Sequence, residues 1–411
     1  MNLYVARQPI LDHELNTVAY ELLFRDGLQN SMNYNIDGYD ATQKILSNSM
    51  VAFGLRNIAG NKKLFINFTG QNIEKGDVSS LPPEMVVVEI LENTEPTAAL
   101  LSTCRELKKK GYKFALDDFV FAAKYQPLID LADIIKIDFL ITKTATERKR
   151  MREIIPKRIK LLAEKVENQE EYEQALAFGY ELFQGYFFCK PVIISQQTSQ
   201  VDITSQLMLL RELNNNNLDI DRLESIIKRD ISLIHKLLKY IINSPYASGS
   251  DRVHTLKQAI SLLKIDGIRN WINLVCMKDL SAERPNELFT TLLIRAKFCE
   301  LTAENIPNAK VEKDTAFLVG MLSLSDVVLG QPMEKIINDL GLASEIKDAL
   351  VLHKNILGEL LKLSTDYEQG NWQEVKIWCQ KNHFPEELLA SLYNEVIQWS
   401  TRINEGISSV M

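Results

Sequence analysis

The sequence predicts an α/β chain in two parts, a (β/α) barrel followed by a separate all-α domain. Three observations carry that expectation. Up to about residue 200, short β-branched runs alternate with helical patterns, and beyond it apolar residues recur at three- and four-residue spacing almost throughout. At 411 residues the chain is longer than one compact core usually covers, so two domains are expected. Polar side chains, most of them oxygen donors, stand at the ends of the apolar runs.

In order, the runs are Thr17–Leu23, Leu64–Asn67, Met85–Ile90, Lys113–Leu116, Ile134–Ile137, Lys160–Ala163 and Glu181–Phe188. Amphipathic segments such as Ala98–Lys110 and Gln169–Ala177 lie between them. Strand and helix signals in alternation imply parallel strands joined by crossover helices. Seven or eight such units in about 195 residues suggest a compact barrel. An open doubly wound sheet is the alternative, but no glycine-rich phosphate loop follows the first run, which counts against a dinucleotide site. The polar stretch SQQTSQVDITSQ then places a boundary within Val192–Gln206, dividing the chain into 1–200 and 201–411. Helices are expected over Leu223–Ile227, Ile231–Ile242, Leu256–Leu263, Phe289–Leu301, Thr315–Leu324, Ile336–Leu340, Glu345–Val351, Trp372–Trp378 and Glu386–Trp399.

Composition narrows the function classes. With 46% hydrophobic and 25% charged residues, the chain reads as neither disordered nor collagenous. A net charge of -7 disfavours wrapping a nucleic-acid polymer, and no basic run with interleaved aromatics is visible. The five cysteines (Cys104, Cys189, Cys276, Cys299, Cys379) show no CxxC spacing, which points to reduced thiols and a cytoplasmic location. Arg7 and Pro9 interrupt any signal-peptide core in MNLYVARQPI. The longest apolar stretch, Ala316–Gly330, contains Asp326 and is shorter than the roughly 18 residues of a spanning helix, so no membrane is expected.

What ends the runs is more informative than the runs themselves. Glu21 closes the first and Asn67 the second; Glu89 ends VVVE, with Glu92 just after it. Asp117 and Asp118 end KFALDD, Lys136 and Asp138 lie in IKID, Glu164 and Glu167 in LLAEKVE, and Gln184 ends ELFQ. The carboxyl ends of barrel strands form one rim, where active sites are built. Oxygen donors converging there suit hard cations such as magnesium or manganese. Any one of these residues alone reads best as the start of a solvated loop, and Asp117–Asp118 as an N-cap and turn. The whole ordered set does not.

YELLFR, FINF, VVVEILEN, ALDDF, IIKID, AEKVE and FQGYFF resemble, in order, the motifs of the EAL domain. That family hydrolyses cyclic di-GMP, a bacterial second messenger, to the linear dinucleotide pGpG. The resemblance implies a TIM-like barrel with one antiparallel strand and two divalent ions, Mg2+ or Mn2+. It implies one ion held by Glu21, Asn67, Glu89 and Asp117, and a second by Asp117, Asp118 and Glu164. It further implies that Lys136 contacts the attacking water, that Glu164 is the candidate base, that Gln184 completes the pocket and that Arg25 binds a substrate phosphate. Glu92, Asp138 and Glu167 are supporting residues. Barrel homodimers are also implied.

Three departures stand out. The signature reads Glu21-Leu22-Leu23, and the middle residue is no ligand. The family's DDFGTGYSS reads DDFVFAAKYQP, without its glycines and serines. AEGVE reads AEKVE, setting Lys165 beside Glu164, where it is expected to lower that glutamate's pKa as a competing counter-charge.

From residue 203, RLESIIKRDISLIHKLLKYIINS and VHTLKQAISLLKIDGIRNWINL resemble the HDOD domain, a helical relative of HD phosphohydrolases that lacks their metal site. Asn243-Ser244 and Arg269–Trp271 agree with its pattern, while a usual glycine reads Lys264. None of His235, His254, His353 and His383 precedes an aspartate, so no second hydrolase site is expected. Such a module presents a surface to a protein partner. Trp271, Trp372, Trp378 and Trp399 are expected in the core. The chain as a whole resembles EAL–HDOD fusions. Its expected activity is cyclic di-GMP hydrolysis, the alternative being an inactive sensor or scaffold that works through protein contacts.

Overall fold

The computed structural model describes residues 3–26, 55–92, 94–117, 123–189, 204–213, 219–228, 231–242, 256–280, 285–307, 311–340 and 342–408. Asp118, His254, Asn243-Ser244 and the expected boundary near residue 200 fall outside these, as do the side chains of Arg25, Cys189 and His235. Two compact units emerge. One holds residues 1–190, 366–381 and 385–394; the other holds 191–365, 382–384 and 395–411.

The first unit is built on a closed eight-stranded barrel in sequence order, which excludes the doubly wound sheet. Its strands are β1 (Leu3–Leu11), β2 (Thr17–Asp26), β3 (Lys63–Phe68), β4 (Val86–Ile90), β5 (Lys113–Leu116), β6 (Ile134–Asp138), β7 (Lys160–Glu164) and β8 (Leu182–Phe183). β1 runs antiparallel to both neighbours, while β2 to β8 are parallel in succession. The apolar runs of the sequence omit β1, because Arg7 and Pro9 break its pattern. The structure explains both residues. The Arg7 guanidinium is buried, donates to the Ile58 carbonyl and lies 4.3 Å from the centre of the Tyr20 ring. Pro9 lacks a donor, and β1 meets β8 through only one pair, Leu11 with Phe183. The run Glu181–Phe188 is also shorter as a strand than its composition suggests, because the chain leaves β8 after Phe183 and turns into a short 3-10 segment at Phe187–Cys189.

Each strand gives one apolar side chain to a layer that closes the barrel: Ile10, Ala19, Phe65, Val87, Ala115, Ile134, Leu162 and Leu182. Crossover helices start where the sequence supplies caps. Thr97 caps Ala98–Lys109, Thr144 and Glu147 form a capping box for Ala145–Ile154, and Asn168 caps Gln169–Ala177.

The expected helical spans appear, with longer ends in most cases; Trp372–Lys381 and the start of Glu386–Ser408 belong to the first unit and the others to the second. Thr204–Leu213 is a helix the periodicity did not single out, as is Asn355–Glu368. Trp271 is fully buried; Trp372 and Trp378, in the first unit, are buried as well, and Trp399 is half-buried against Phe317. Cys104, Cys276, Cys299 and Cys379 are buried thiols outside any disulfide, and burial pushes the Cys104 and Cys379 thiols up to about 12. No helix among the described residues is long and apolar enough to cross a membrane.

Candidate active site

Side chains of a strand alternate between its faces, so the residue two positions along points the same way. Two steps from each member of the apolar layer, toward the carboxyl ends of the parallel strands, stand Glu21, Asn67, Glu89, Asp117, Lys136, Glu164 and Gln184. Antiparallel β1 is read backwards, and two steps from Ile10 is Gln8. A polar layer of eight residues, one per strand position, thus lies directly on an apolar floor. Seven of the eight are residues the sequence singled out. Gln8 is the one it missed, and the signal is its pairing with Glu21 across the unrecognised first strand.

Lys136 is the hub. Its ammonium is 1% exposed and lies 2.7 Å from Glu164 Oε1, 2.8 Å from Glu89 Oε1, 2.9 Å from Asp117 Oδ1 and 3.2 Å from Glu21 Oε2. Gln184 Nε2 donates to Glu21 Oε2 at 2.7 Å and to Gln8 Oε1 at 3.0 Å. Asn67 Nδ2 reaches Glu21 Oε1 at 3.5 Å. Glu21 is therefore held from three sides. Gly185 makes this possible at β8: its φ is +146°, and a Cβ there would lie 2.2 Å from the Val166 carbonyl oxygen. Only glycine lets the chain leave Gln184 so tightly against the segment that follows Glu164.

Four carboxylates against one ammonium leave the layer formally three charges negative. Burial raises the Glu89 pKa well above the usual carboxylate range, with Glu21 adding to it. Burial also pushes Glu164 up to about 8, although Lys136 opposes the rise. Burial disfavours the charge on Lys136, yet the surrounding carboxylates outweigh it and hold its pKa well above normal. The layer is thus short of positive charge. It is also short of donors: Glu89 Oε2 and Asn67 Oδ1 are buried without a hydrogen bond. Buried oxygens in excess of donors are the ligand type that hard divalent cations take. Among the described residues no three His, Cys, Asp or Glu are arranged to hold a metal as they stand, the centre being occupied by the ammonium. The donor set fits such a cation; the present spacing fits the lysine.

The supporting residues separate. Asp138, two further steps along β6, is buried; its Oδ1 accepts from the backbone N–H of Leu140 at 2.6 Å and Ile141 at 3.2 Å. Its Oδ2 pairs with Lys165, which corrects the expectation that Lys165 serves Glu164. Glu164 turns inward to Lys136, and its pKa is raised, not lowered. Lys165 and Lys264 both stand where the resemblances expect glycine, and both have left-handed backbone, with φ of +54° and +55°. Glu92 and Glu167 are exposed.

A family model described as the EAL domain matches residues 56–191, and one described as the HDOD domain matches residues 202–362. The first begins after β2, so Gln8 and Glu21 precede it. The chain is 37% identical over 410 residues to the Bacillus subtilis protein YuxH, covering 97% of this chain and 98% of that one. It is 35% identical over 406 residues to the Vibrio cholerae protein named cyclic di-GMP phosphodiesterase CdgJ, covering 98% of this chain and 94% of that one. Among solved structures, Klebsiella pneumoniae BlrP1 in a calcium and cyclic di-GMP complex is 22% identical with a TM-score of 0.38, over 45% of this chain and 55% of that one. An EAL domain protein from Listeria monocytogenes is 23% identical with a TM-score of 0.37, over 46% and 87%.

Proposed function

We propose that this chain, which belongs to the family in which an EAL domain is followed by an HDOD domain, hydrolyses cyclic di-GMP to linear pGpG in its barrel. The observation that carries the reading is the buried polar layer, with four carboxylates and one lysine over an apolar floor. A structural layer would balance its charges; this one is left negative and donor-poor, as a layer built to hold cations would be.

Two divalent ions, Mg2+ or Mn2+, would be held by Glu21, Asn67, Glu89 and Asp117, and by Asp117, Asp118 and Glu164. Bound there, they supply charge neutralisation at the phosphodiester and a lower pKa for water. The protein's own groups do the rest. Glu164 Oε1 can take the proton of the attacking water. The Lys136 ammonium adds positive charge where the transition state becomes more anionic. Gln184 and Asn67 fix the Glu21 carboxylate, and the apolar layer keeps bulk water from entering beneath. Arg25 binds a substrate phosphate. The helical domain presents its surface to a protein partner, and the barrel forms homodimers. The protein works in the cytoplasm.

The test is incubation of the purified chain with cyclic di-GMP and Mg2+ or Mn2+, followed by separation of products. Metal-dependent pGpG is expected. Tight binding with no linear product under either metal would overturn the enzyme reading in favour of a sensor, the alternative that the rebuilt DDFVFAAKYQP segment favours. Neither binding nor cleavage would leave a scaffold for the helical domain.

A further inference from the structure

We propose that Lys136 is the resident cation of the metal-free barrel, and that metal enters by exchange with its ammonium rather than by filling a preformed site. The inference rests on the reading of the polar layer as a metal centre and adds a step to it. Four carboxylates drawn from β2, β4, β7 and the end of β5 lie within 3.2 Å of one nitrogen. An ammonium has three N–H donors, so it cannot satisfy four carboxylates, and Glu89 Oε2 is left buried without a hydrogen bond. A divalent ion carries twice the charge and takes six or more oxygens, so it suits the ring better than the lysine does. The lysine is nonetheless tethered at the centre and always present. It holds the four carboxylates in register while the metal is absent, and it has the flexible four-carbon stem needed to withdraw.

The consequence is a competition. A ligand whose binding-competent state is only partly populated loses affinity by that fraction. Metal affinity in this protein is therefore set below what the oxygen donors alone would give. Metal-free stability, in turn, depends on Lys136.

The experiment uses Mn2+ alone, without nucleotide, on the full chain. Lys136→Met keeps the stem and removes the charge. Its Mn2+ dissociation constant, measured by titration calorimetry, should fall at least tenfold below that of the wild type. Its melting temperature without metal should drop, and Mn2+ should raise it by more than it raises the wild type's. Equal or weaker Mn2+ binding by Lys136→Met overturns the exchange while leaving the metal centre standing, provided the wild type binds. If neither protein binds Mn2+, the metal centre and the exchange both fail. Should Lys136→Met not fold, a lysine-selective nitrogen-15 spectrum of the wild type decides. The Lys136 ammonium signal must move on saturation with Mg2+, and a signal unchanged at saturation overturns the proposal.

Discussion

The barrel and the helical unit both bury polar side chains, but they satisfy them in opposite ways. In the helical unit several hydroxyls donate close in sequence, although Thr290 Oγ1 also accepts from Asn404 Nδ2, 114 residues away. Thr291 Oγ1 donates to the Glu287 carbonyl, Thr290 Oγ1 to Asn286, and Ser400 Oγ to Ile397, each three or four residues back along its own helix. In the barrel the partners are distant. Lys136 meets Glu21 across 115 residues, Gln184 meets Glu21 across 163 and Gln8 across 176. A hydroxyl that donates to its own backbone serves its own helix first. Charged groups brought together from many strands keep unspent interaction capacity, and that is what chemistry requires.

The largest way to break this contrast is Glu164→Gln, which keeps shape and removes one charge. Hydrolysis should fall by roughly 10²–10⁴-fold, the usual worth of a positioned acid–base group, while cyclic di-GMP affinity changes little. Rate and binding measured separately check it; a parallel loss of both would make Glu164 a structural residue. The same carboxyl sets a pH dependence without metal. Its folded pKa of about 8 lies above its unfolded value, so the folded state holds a proton the unfolded state has lost. The stability this confers is complete below the unfolded pKa and is lost as pH rises through about 8. The melting temperature should therefore fall as pH climbs from 5 to 8, and the fall should be shallower in Glu164→Gln.

Next in size is Gly185→Ala. The added Cβ would sit 2.2 Å from a backbone oxygen, at a φ of +146°. A loss on the order of 3 kcal/mol is expected, since backbone must shift on both sides. Denaturant unfolding measures it. Thr291→Val is the counterpart in the helical unit: its hydroxyl serves only its own helix, so the change should stay under about 1 kcal/mol. A comparable cost at both positions would erase the distinction between the two regions.

The same contrast explains what the sequence reveals. Helices are legible because their partners are local: spacing and caps such as Thr144 with Glu147 lie within one window. The polar layer is legible because strand ends mark a rim once a barrel is inferred. β1 escapes because its Arg7 is buried by a contact with Ile58, 51 residues away, and the pattern of a strand cannot show that. Gln8 is lost with it. The partner of Lys165 is hidden from the sequence for a related reason. Adjacency in sequence suggests Glu164, whereas β7 ends at Glu164 and the left-handed backbone of Lys165 turns its side chain to Asp138 on β6.

Lys165→Gly is the smallest change and the sharpest test of that reassignment. Lys165 holds a φ of +54°, which costs an L-residue about 1 kcal/mol or more and glycine nothing. Against that relief, glycine gains freedom in the unfolded chain, worth about 0.4–1 kcal/mol. The ion pair to Asp138 is also lost, but the Lys165 side chain is half-exposed and such pairs are worth about 0–1 kcal/mol. Asp138 keeps the Leu140 and Ile141 N–H groups, so its carboxylate is not left bare. The terms nearly cancel, and stability should change by less than about 1 kcal/mol. The hydrolysis rate should change modestly, because the ammonium that faces Glu164 belongs to Lys136. A change above tenfold, or a displaced pH profile, would mean that Lys165 reaches Glu164 during turnover. Adjacency in sequence would then have outweighed the left-handed turn that the backbone makes after β7.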